Sequence, residues 1–419
     1  MTARAFAIAT TLACTILCDW AAIAAESGAT TRALAAPADS PAVATDIRIG
    51  GDDKQTRFVV DLNRKIDLAA FTLADPYRVV VDLPQITFKL PAKAGEQTRG
   101  LVKAFRYGLI MQGGSRVVLD TKGPVRLDKA FVLDAAEGQP ARLVLDLVAT
   151  DRASFIRNIA LEKHPAHNVS IRPSEAPPKV DGDLRPLIVL DPGHGGIDNG
   201  TQGSGGELEK DVVLAFAQTL REKLESGGKF RVAMTRSDDT FIPLAERVRF
   251  ARTHGAALFI SVHADALPRS EGQAEGATVY TLSENASDAE AARLAEAENK
   301  ADAIAGVDLT TEPDDVANIL VDLAQRETKT FSMQFARTVV GELKPAARLH
   351  KHPLKSAGFK VLLAPDVPSV LVELGYMSTK DDLKQLTSAT WRARTAQAIA
   401  QAADTFLTPR IAGTGRGRN

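Results

Sequence analysis

At 419 residues the chain is too long for one ordinary core, so two domains joined by linkers are expected. With 45% hydrophobic and 25% charged residues it has the composition of a soluble globular protein. A formal net charge of -1 leaves no basic surplus to neutralise phosphates, which argues against nucleic-acid binding.

Arg4 precedes a mostly apolar stretch, Ala5 to Leu17, and Ala22-Ile23-Ala24 or Ile23-Ala24-Ala25 offers a small-residue cleavage site before Glu26. Residues 1–25 therefore read as a secretory signal peptide, interrupted by Asp19. Both cysteines, Cys14 and Cys18, lie inside it, so the mature protein is expected to carry no thiol, which suits an oxidising compartment. The apolar stretch is shorter than the ~20 residues that span a bilayer, and no later segment qualifies, so no membrane span is expected once the signal is removed.

Residues 26–45 are rich in Ala, Ser, Thr and Pro without periodicity and read as a flexible linker. From 46 to 150 the chain repeats itself weakly. "TRFVVDLNRKIDLAAFTLADPYRVVVDLP" (56–84) is echoed by "SRVVLDTKGPVRLDKAFVLDAAEGQPARLVLDL" (115–147), with Arg57 matching Arg116, Asp61 matching Asp120, Phe71 matching Phe131 and Arg78 matching Arg142. Each copy consists of short Val- and Leu-rich strands broken by turns, and two copies packed face to face predict a small all-β sandwich. No catalytic cluster lies in it. A binding or positioning role is expected, with the Arg and Asp residues solvated or paired on the strand faces.

A linker is expected over 151–186, ending in "PSEAPPKVDGDLRP", with His164 and His167 as surface residues. From 187 to 409 near-continuous apolar strands alternate with amphipathic helices, the pattern of an α/β domain whose central, mostly parallel sheet is flanked by helices. Residues 410–419 read as a disordered tail. In such sheets ligand sites gather beyond the carboxyl ends of the strands.

Three strand ends here carry polar groups: His194 in the glycine loop after "IVLDP", His263 after "ALFISV", and Glu373 after "SVLV". Glu209 adds a carboxylate from the first turn of the following helix. Two imidazoles and a carboxylate form a common Zn²⁺ set with a fourth position open. Bound zinc lowers the pKa of water toward about 7 and polarises a carbonyl, and Glu373 could pass a proton to a leaving amine. Amide hydrolysis is the reaction such a set would perform. The residues alone leave a second reading open, in which His194 stabilises its loop, His263 caps a strand and Glu209 favours its helix through the dipole. Arg236 and Arg247 read most simply as helix-to-strand ion pairs, His254 as a helix-end cap, and His350 and His352 as residues of a solvated turn.

"LDPGHGGIDNGTQGSGGELEKDVVLAFA", "MTRSDDTFIPLAERVRFARTHGAALFISVHADA" and "AGFKVLLAPDVPSVLVELGYMS" resemble, in order and spacing, the zinc-dependent N-acetylmuramoyl-L-alanine amidases of the bacterial cell wall. The β-rich part is similar to the AMIN-type targeting domain that precedes such amidases in periplasmic septal enzymes. The resemblance implies zinc on His194, Glu209 and His263, with Glu373 as the catalytic glutamate. Ser378-Thr379 departs from the Ser-Asn often found there in the family. By the same resemblance the substrate is peptidoglycan, the location is the periplasm, and the β domain localises the enzyme at the division site. Alternatives are a zinc peptidase or deacetylase acting on another wall polymer, and a non-catalytic wall-binding protein.

An acidic, Ala-rich insertion spans 283–330, before a helix expected to resume near Phe331. Ser287 followed by Glu290 reads as a capping box. The apolar stripe Ala291, Leu294, Ala301, Ala305 includes Glu298 on the same face. In the septal members that the sequence resembles, a helix of this insertion covers the active site. Glu298 is then the candidate inhibitory ligand, Glu296 the fallback, and a protein activator would displace the helix. The other reading has Glu298 simply reaching solvent.

Overall fold

The computed structural model describes residues 40–161 apart from 75, 92–93, 112 and 137, then 183–266, 275–307 and 319–414. The expected signal peptide with its two cysteines, most of the 26–45 linker, His164, His167 and residues 415–419 lie outside the described residues.

Alternation of apolar and polar residues drives the first half into strands. These are β1 (Ala42–Gly51), β2 (Gln55–Leu62), β3 (Ala69–Leu73), β4 (Arg78–Pro84), β5 (Ile86–Phe88), β6 (Val102–Met111), β7 (Gly114–Thr121), β8 (Val125–Leu133) and β9 (Ala141–Ala149). They form two sheets, ordered β5-β1-β2-β9-β8 and β3-β4-β7-β6. Phe58, Val60, Val79, Val81, Val117, Leu119, Leu143 and Leu145 fill the space between them.

The two repeat copies do not each form a sheet, as face-to-face packing would require. They exchange strands: β2 of the first copy pairs with β9 of the second, and β7 of the second with β4 of the first. The matched charges explain the register. Arg57 stands opposite Asp146 and Asp61 opposite Arg142, while Arg116 stands opposite Asp82 and Asp120 opposite Arg78. Each copy thus supplies the counter-charges of the other, and opposite charges directly across a ladder favour that pairing.

Ordered backbone begins earlier and ends later than expected. Residues 42–45, placed in the flexible linker, belong to β1, because Ala42 and Ala44 are buried and Ala44 pairs with Leu62. Part of the 151–186 linker is helical, α1 (Arg152–Leu161), with Asp151 Oδ1 accepting from Ser154 N at 2.9 Å as a cap. Phe155 anchors that helix edge-on against Tyr77.

The second half contains β10 (Leu187–Pro192), α2 (Glu209–Ser226), β11 (Arg231–Met234), α3 (Leu244–Thr253), β12 (Leu258–His263), β13 (Ala277–Leu282), α4 (Ala289–Glu298), α5 (Ala301–Ile304), α6 (Ile319–Leu343), β14 (Leu349–Ala357), β15 (Ser369–Glu373), α7 (Lys380–Leu386) and α8 (Ala389–Thr414). The sheet order is β11-β10-β12-β15-β13-β14. The pairs β11/β10, β10/β12 and β12/β15 are parallel, while β13 runs antiparallel to β15. Ile188, Leu190, Ile260, Val262, Val370 and Val372 face one core with α2, α6 and α8. Val189, Phe259 and Leu371 face a second core that includes Ala291 and Leu294 of α4.

Three expected boundaries move. Helix α6 starts at Ile319, well before Phe331. Helix α8 continues through Pro409 to Thr414, into the expected tail. His350 and His352 lie in strand β14, not in a turn, and His350 is buried beside Glu290 of α4. Among the described residues no helix is long and apolar enough to cross a membrane.

Candidate metal centre

The loop after β10 places His194 by an unusual backbone. His194 has φ 59, a left-handed conformation that side chains with a Cβ adopt at a cost. Arg247 holds it there: its Nη2 donates to His194 O at 2.7 Å while its Nη1 pairs with Asp191 at 2.9 Å. Both residues are buried, and Thr235 and Ser261 donate further bonds to the same Asp191 carboxylate. Arg247 is thus the helix-to-strand ion pair expected of it. Arg236 is not, because its bonds go to backbone carbonyls; it donates to Pro192 O at the end of β10, Gly193 O in the loop and Lys210 O in α2 at 2.7 to 3.0 Å. Burial pulls its pKa down to about 10.

Two glycines make room for the cluster. A Cβ on Gly193 would lie 2.3 Å from Cε1 of His263, and one on Gly200 would lie 2.7 Å from Glu209 Oε2 and from His194 Cδ2. Side chains at these points would displace the groups that the loop brings together.

His194 and Glu209 approach at 3.1 Å (Nε2 to Oε1), and the same oxygen lies 3.4 Å from His263 Nδ1. Glu209 is fixed by Ala264 N donating to Oε1 and Thr201 N donating to Oε2, both at 2.9 Å. His263 and Glu373 are register partners on β12 and β15. Asp265 N donates to Glu373 Oε2 at 3.0 Å.

Glu298, the last residue of α4, closes the cluster from the other side. Its Oε2 lies 3.1 Å from His263 Nδ1 and 3.8 Å from His194 Nε2. The side chain is buried rather than reaching solvent, whereas Glu296 points outward and pairs with Lys300. One ligand atom from each of His194, His263 and Glu298 falls within 4.8 Å of the others, a group able to hold a metal ion. Only about 10 Å³ of cavity remains beside these residues, room for no more than about one water.

Helix α4 departs from the expected cap by one residue. Asp288, not Ser287, caps it, its Oδ1 accepting from Ala291 N at 2.8 Å. Ser287 Oγ instead accepts from Ser356 N of β14. Glu290 is drawn away from the box by Lys355, 2.8 Å from its Oε1, and by the Tyr376 hydroxyl at 3.1 Å. The apolar stripe is also split between α4 and α5, though Ala291, Leu294, Ala301 and Ala305 are all buried.

Electrostatics reflect the crowding. Burial alone would lower the His194 pKa, but the carboxylates of Glu209, Asp198 and Glu298 outweigh it and hold it well above the ordinary value. For His263 burial is likewise overcome, by Glu298 and Glu209. Burial raises Glu209, yet the two imidazoles hold it well below the usual carboxylate range. Glu298 is pushed up to about 7 by burial, against the pull of both imidazoles. Burial, then the charges of Glu209 and Asp265, carry Glu373 well above its ordinary value.

Sequence reasoning missed Asp198. Its Oδ2 lies 2.9 Å from His194 Nδ1, so it fixes the tautomer that turns Nε2 toward the cluster. The signal was a carboxylate four residues after a glycine-flanked histidine. Thr201 and Asp265, joined at 2.6 Å, were also missed. His254 caps α3 as expected, its Nδ1 2.8 Å from Phe250 O.

The sequence matches the family model described as N-acetylmuramoyl-L-alanine amidase over residues 188–405 and the AMIN domain over residues 46–147. It is 34% identical to the N-acetylmuramoyl-L-alanine amidase AmiC of Escherichia coli O6:H1, covering 84% of this chain and 87% of that protein. Identity to AmiC of Neisseria meningitidis serogroup B is 33%, over 87% of this chain and 89% of the relative. Identity to AmiA of Escherichia coli K12 is 42%, over 53% of this chain and 76% of the relative. The chain therefore belongs to the N-acetylmuramoyl-L-alanine amidases, enzymes of peptidoglycan hydrolysis, and carries an AMIN domain ahead of its amidase domain.

Proposed function

We propose that the protein is a zinc-dependent periplasmic amidase that cuts the bond between N-acetylmuramic acid and L-alanine during septum splitting. In this reading it is held inactive by its own lid, α4 with α5, until a protein activator displaces it. One observation carries the reading. His194 Nε2 and His263 Nδ1 are buried without a hydrogen-bond partner, and both face Glu209 and Glu298.

Buried polar atoms are normally satisfied, so two orphaned imidazole nitrogens aimed at the same carboxylates fit a missing cation. Two nitrogens with carboxylate oxygens make a donor set that Zn²⁺ takes. His194, Glu209 and His263 would hold the ion, with Glu298 as fourth donor while the lid is shut. When bound, zinc would supply an acidified water and an electrophile for the amide carbonyl.

The residues around it have separate tasks. Asp198 orients His194. Glu373, with Oε1 buried and unpartnered, is placed to take a proton from the attacking water and hand it to the departing amine. Burial and the charges of Glu209 and Asp265 raise its pKa, which favours its holding a proton between the two transfers. Glu298 occupies the approach that the substrate needs, and the small remaining cavity supports an inhibited state. The AMIN domain, assigned to 46–150, would localise the enzyme on the wall, ahead of a catalytic domain at 187–409.

Purified mature protein should contain one equivalent of zinc and release intact stem peptides with free L-alanine amines from sacculi. Metal-free protein that keeps full activity, or fragments cut elsewhere, would overturn the assignment.

A further inference from the structure

The outer face of the β3-β4-β7-β6 sheet is covered, and what covers it is the end of the lid. Arg116 Nη1 donates to Ala305 O and Gly306 O at 3.0 Å each, and Arg106 Nε donates to Ile304 O at 3.3 Å. Arg78 donates to Ala303 O. These carbonyls lie at the end of α5 and just beyond it. Between the arginines, Val80 and Val118 pack on Ala305. A Cβ on Gly306 would come within 2.9 Å of Val80 Cγ2.

The same face also grips the loop that carries His194. Ile197 N donates to Leu109 O at 3.1 Å, and a Cβ on Gly108 would lie 2.7 Å from Ile197 N. One sheet face therefore spans the lid end and the catalytic loop.

The internal repeat supplies a comparison within the molecule. Sheet β5-β1-β2-β9-β8 carries the matching residues, and among the described residues these stand exposed beyond their ion pairs within the sheet. The Arg116 side chain is 9% exposed and its counterpart Arg57 59%. Leu73 is 5% exposed and its counterpart Leu133 42%. A Cβ on Gly50, which stands two residues after Arg48 as Gly108 stands after Arg106, would meet nothing. The covering of one face and not its twin reflects specific docking of the lid.

We propose that this face of the AMIN domain is the lock of the lid: the lid opens only when the sheet releases residues 303–306. The inference rests on the inhibitory reading of the lid but has its own readout.

The test uses zinc-loaded full-length protein in three forms: the double variant Arg106→Ala, Arg116→Ala; the lid-side variant Gly306→Val; and the matched control Arg48→Ala, Arg57→Ala. Hydrogen–deuterium exchange over 289–307 and peptide release from sacculi are followed in parallel. The first two are expected to raise lid exchange at least about tenfold, and the control to leave it unchanged. If the double variant disturbs the AMIN fold, Arg106→Ala alone replaces it, because a side chain at the left-handed φ of Gly306 strains the lid end by itself and a rise there does not support the lock unaided. Wild-type lid exchange in Gly306→Val with AMIN amides still protected overturns the lock, as does an equal rise in the control. Faster lid exchange without faster hydrolysis keeps the lock and removes the inhibitory role from the lid, which Glu298→Ala tests separately.

Discussion

Glu298 Oε2 stands 3.1 Å from Nδ1 of His263, at the end of a helix whose other charged end is held 2.8 Å from Lys355 Nζ through Glu290. A carboxylate in an apolar helix face is costly to bury alone. Here the lid helix is tied at both ends, by Lys355 at its start and by the imidazoles at its finish.

Removing the second tie is expected to open the site. Glu298→Ala should raise peptide release from sacculi about tenfold or more, the equivalent of losing ~1.4 kcal/mol of preference for the closed state. Zinc content should be unchanged, since His194, Glu209 and His263 remain. Basal turnover equal to wild type would show that Glu298 does not restrain the enzyme.

Metal affinity should depend steeply on pH. Without metal the carboxylates of Glu209 and Glu298 hold both His194 and His263 above the ordinary imidazole pKa, so both rings keep their protons to higher pH than a free imidazole does. Zinc requires the neutral ring, so binding expels those protons. Apparent affinity should rise with pH across the raised range and fall as pH drops, by about tenfold per pH unit for each proton displaced. Competition titrations with a chromophoric chelator, repeated in buffers of different ionisation enthalpy, measure both the slope and the protons released.

Asp198→Asn should weaken zinc binding by about 10–100-fold while leaving the fold intact. The carboxylate at 2.9 Å both fixes the His194 tautomer and adds negative charge beside it, and an amide supplies neither fully. Zinc affinity matching wild type in the same titration would reduce Asp198 to a support of the loop, through its bond from Gly200 N.

These positions differ in how readable they were from sequence. His194, His263 and Glu373 follow unbroken apolar strands, and in a sheet with parallel neighbours such ends gather on one rim. Glu298 stood out because it broke an apolar period, but the period alone left solvent as its other destination, and only the family resemblance pointed it toward the imidazoles. Asp198 was not, since an acid in a glycine loop has many uses and only the ring geometry assigns one. The strand exchange between repeats was hidden too: the copies look equivalent along the chain, and the choice of partner lies in cross-strand pairs separated by 34 residues for Arg116 and Asp82 and by 89 for Arg57 and Asp146. The lid's cap moved by one residue because β14 claimed Ser287, a contact with no local signature.

Arg247 makes a stability prediction independent of the metal. It is 2% exposed, pairs with fully buried Asp191 and bonds the carbonyls of Ile242, Pro192 and His194. Arg247→Met keeps much of the volume but strands a buried carboxylate, so a loss of about 3–5 kcal/mol is expected. Exchanging both partners, Arg247→Met with Asp191→Asn, should recover part of it. Chemical denaturation of the metal-free chains gives both numbers, and a loss under ~1 kcal/mol would mean that Asp191 is supported well enough by Thr235 and Ser261.

Glu373→Gln separates chemistry from architecture. The substitution is nearly isosteric, and the amide oxygen can still accept from Asp265 N, which now bonds Oε2. What disappears is the capacity to receive and return a proton at Oε1, an atom that no other group occupies. Measured in a Glu298→Ala background, so that lid closure does not mask the step, hydrolysis should fall by about 10²–10⁴-fold. Zinc stoichiometry and thermal midpoint should stay near those of the parent, and removing a carboxyl whose charged form is disfavoured by burial should leave stability equal or slightly higher. A variant that keeps a tenth or more of the parental rate would remove Glu373 from the proton transfer and return the search to Asp265, the neighbouring acid whose pKa burial and Glu209 also raise.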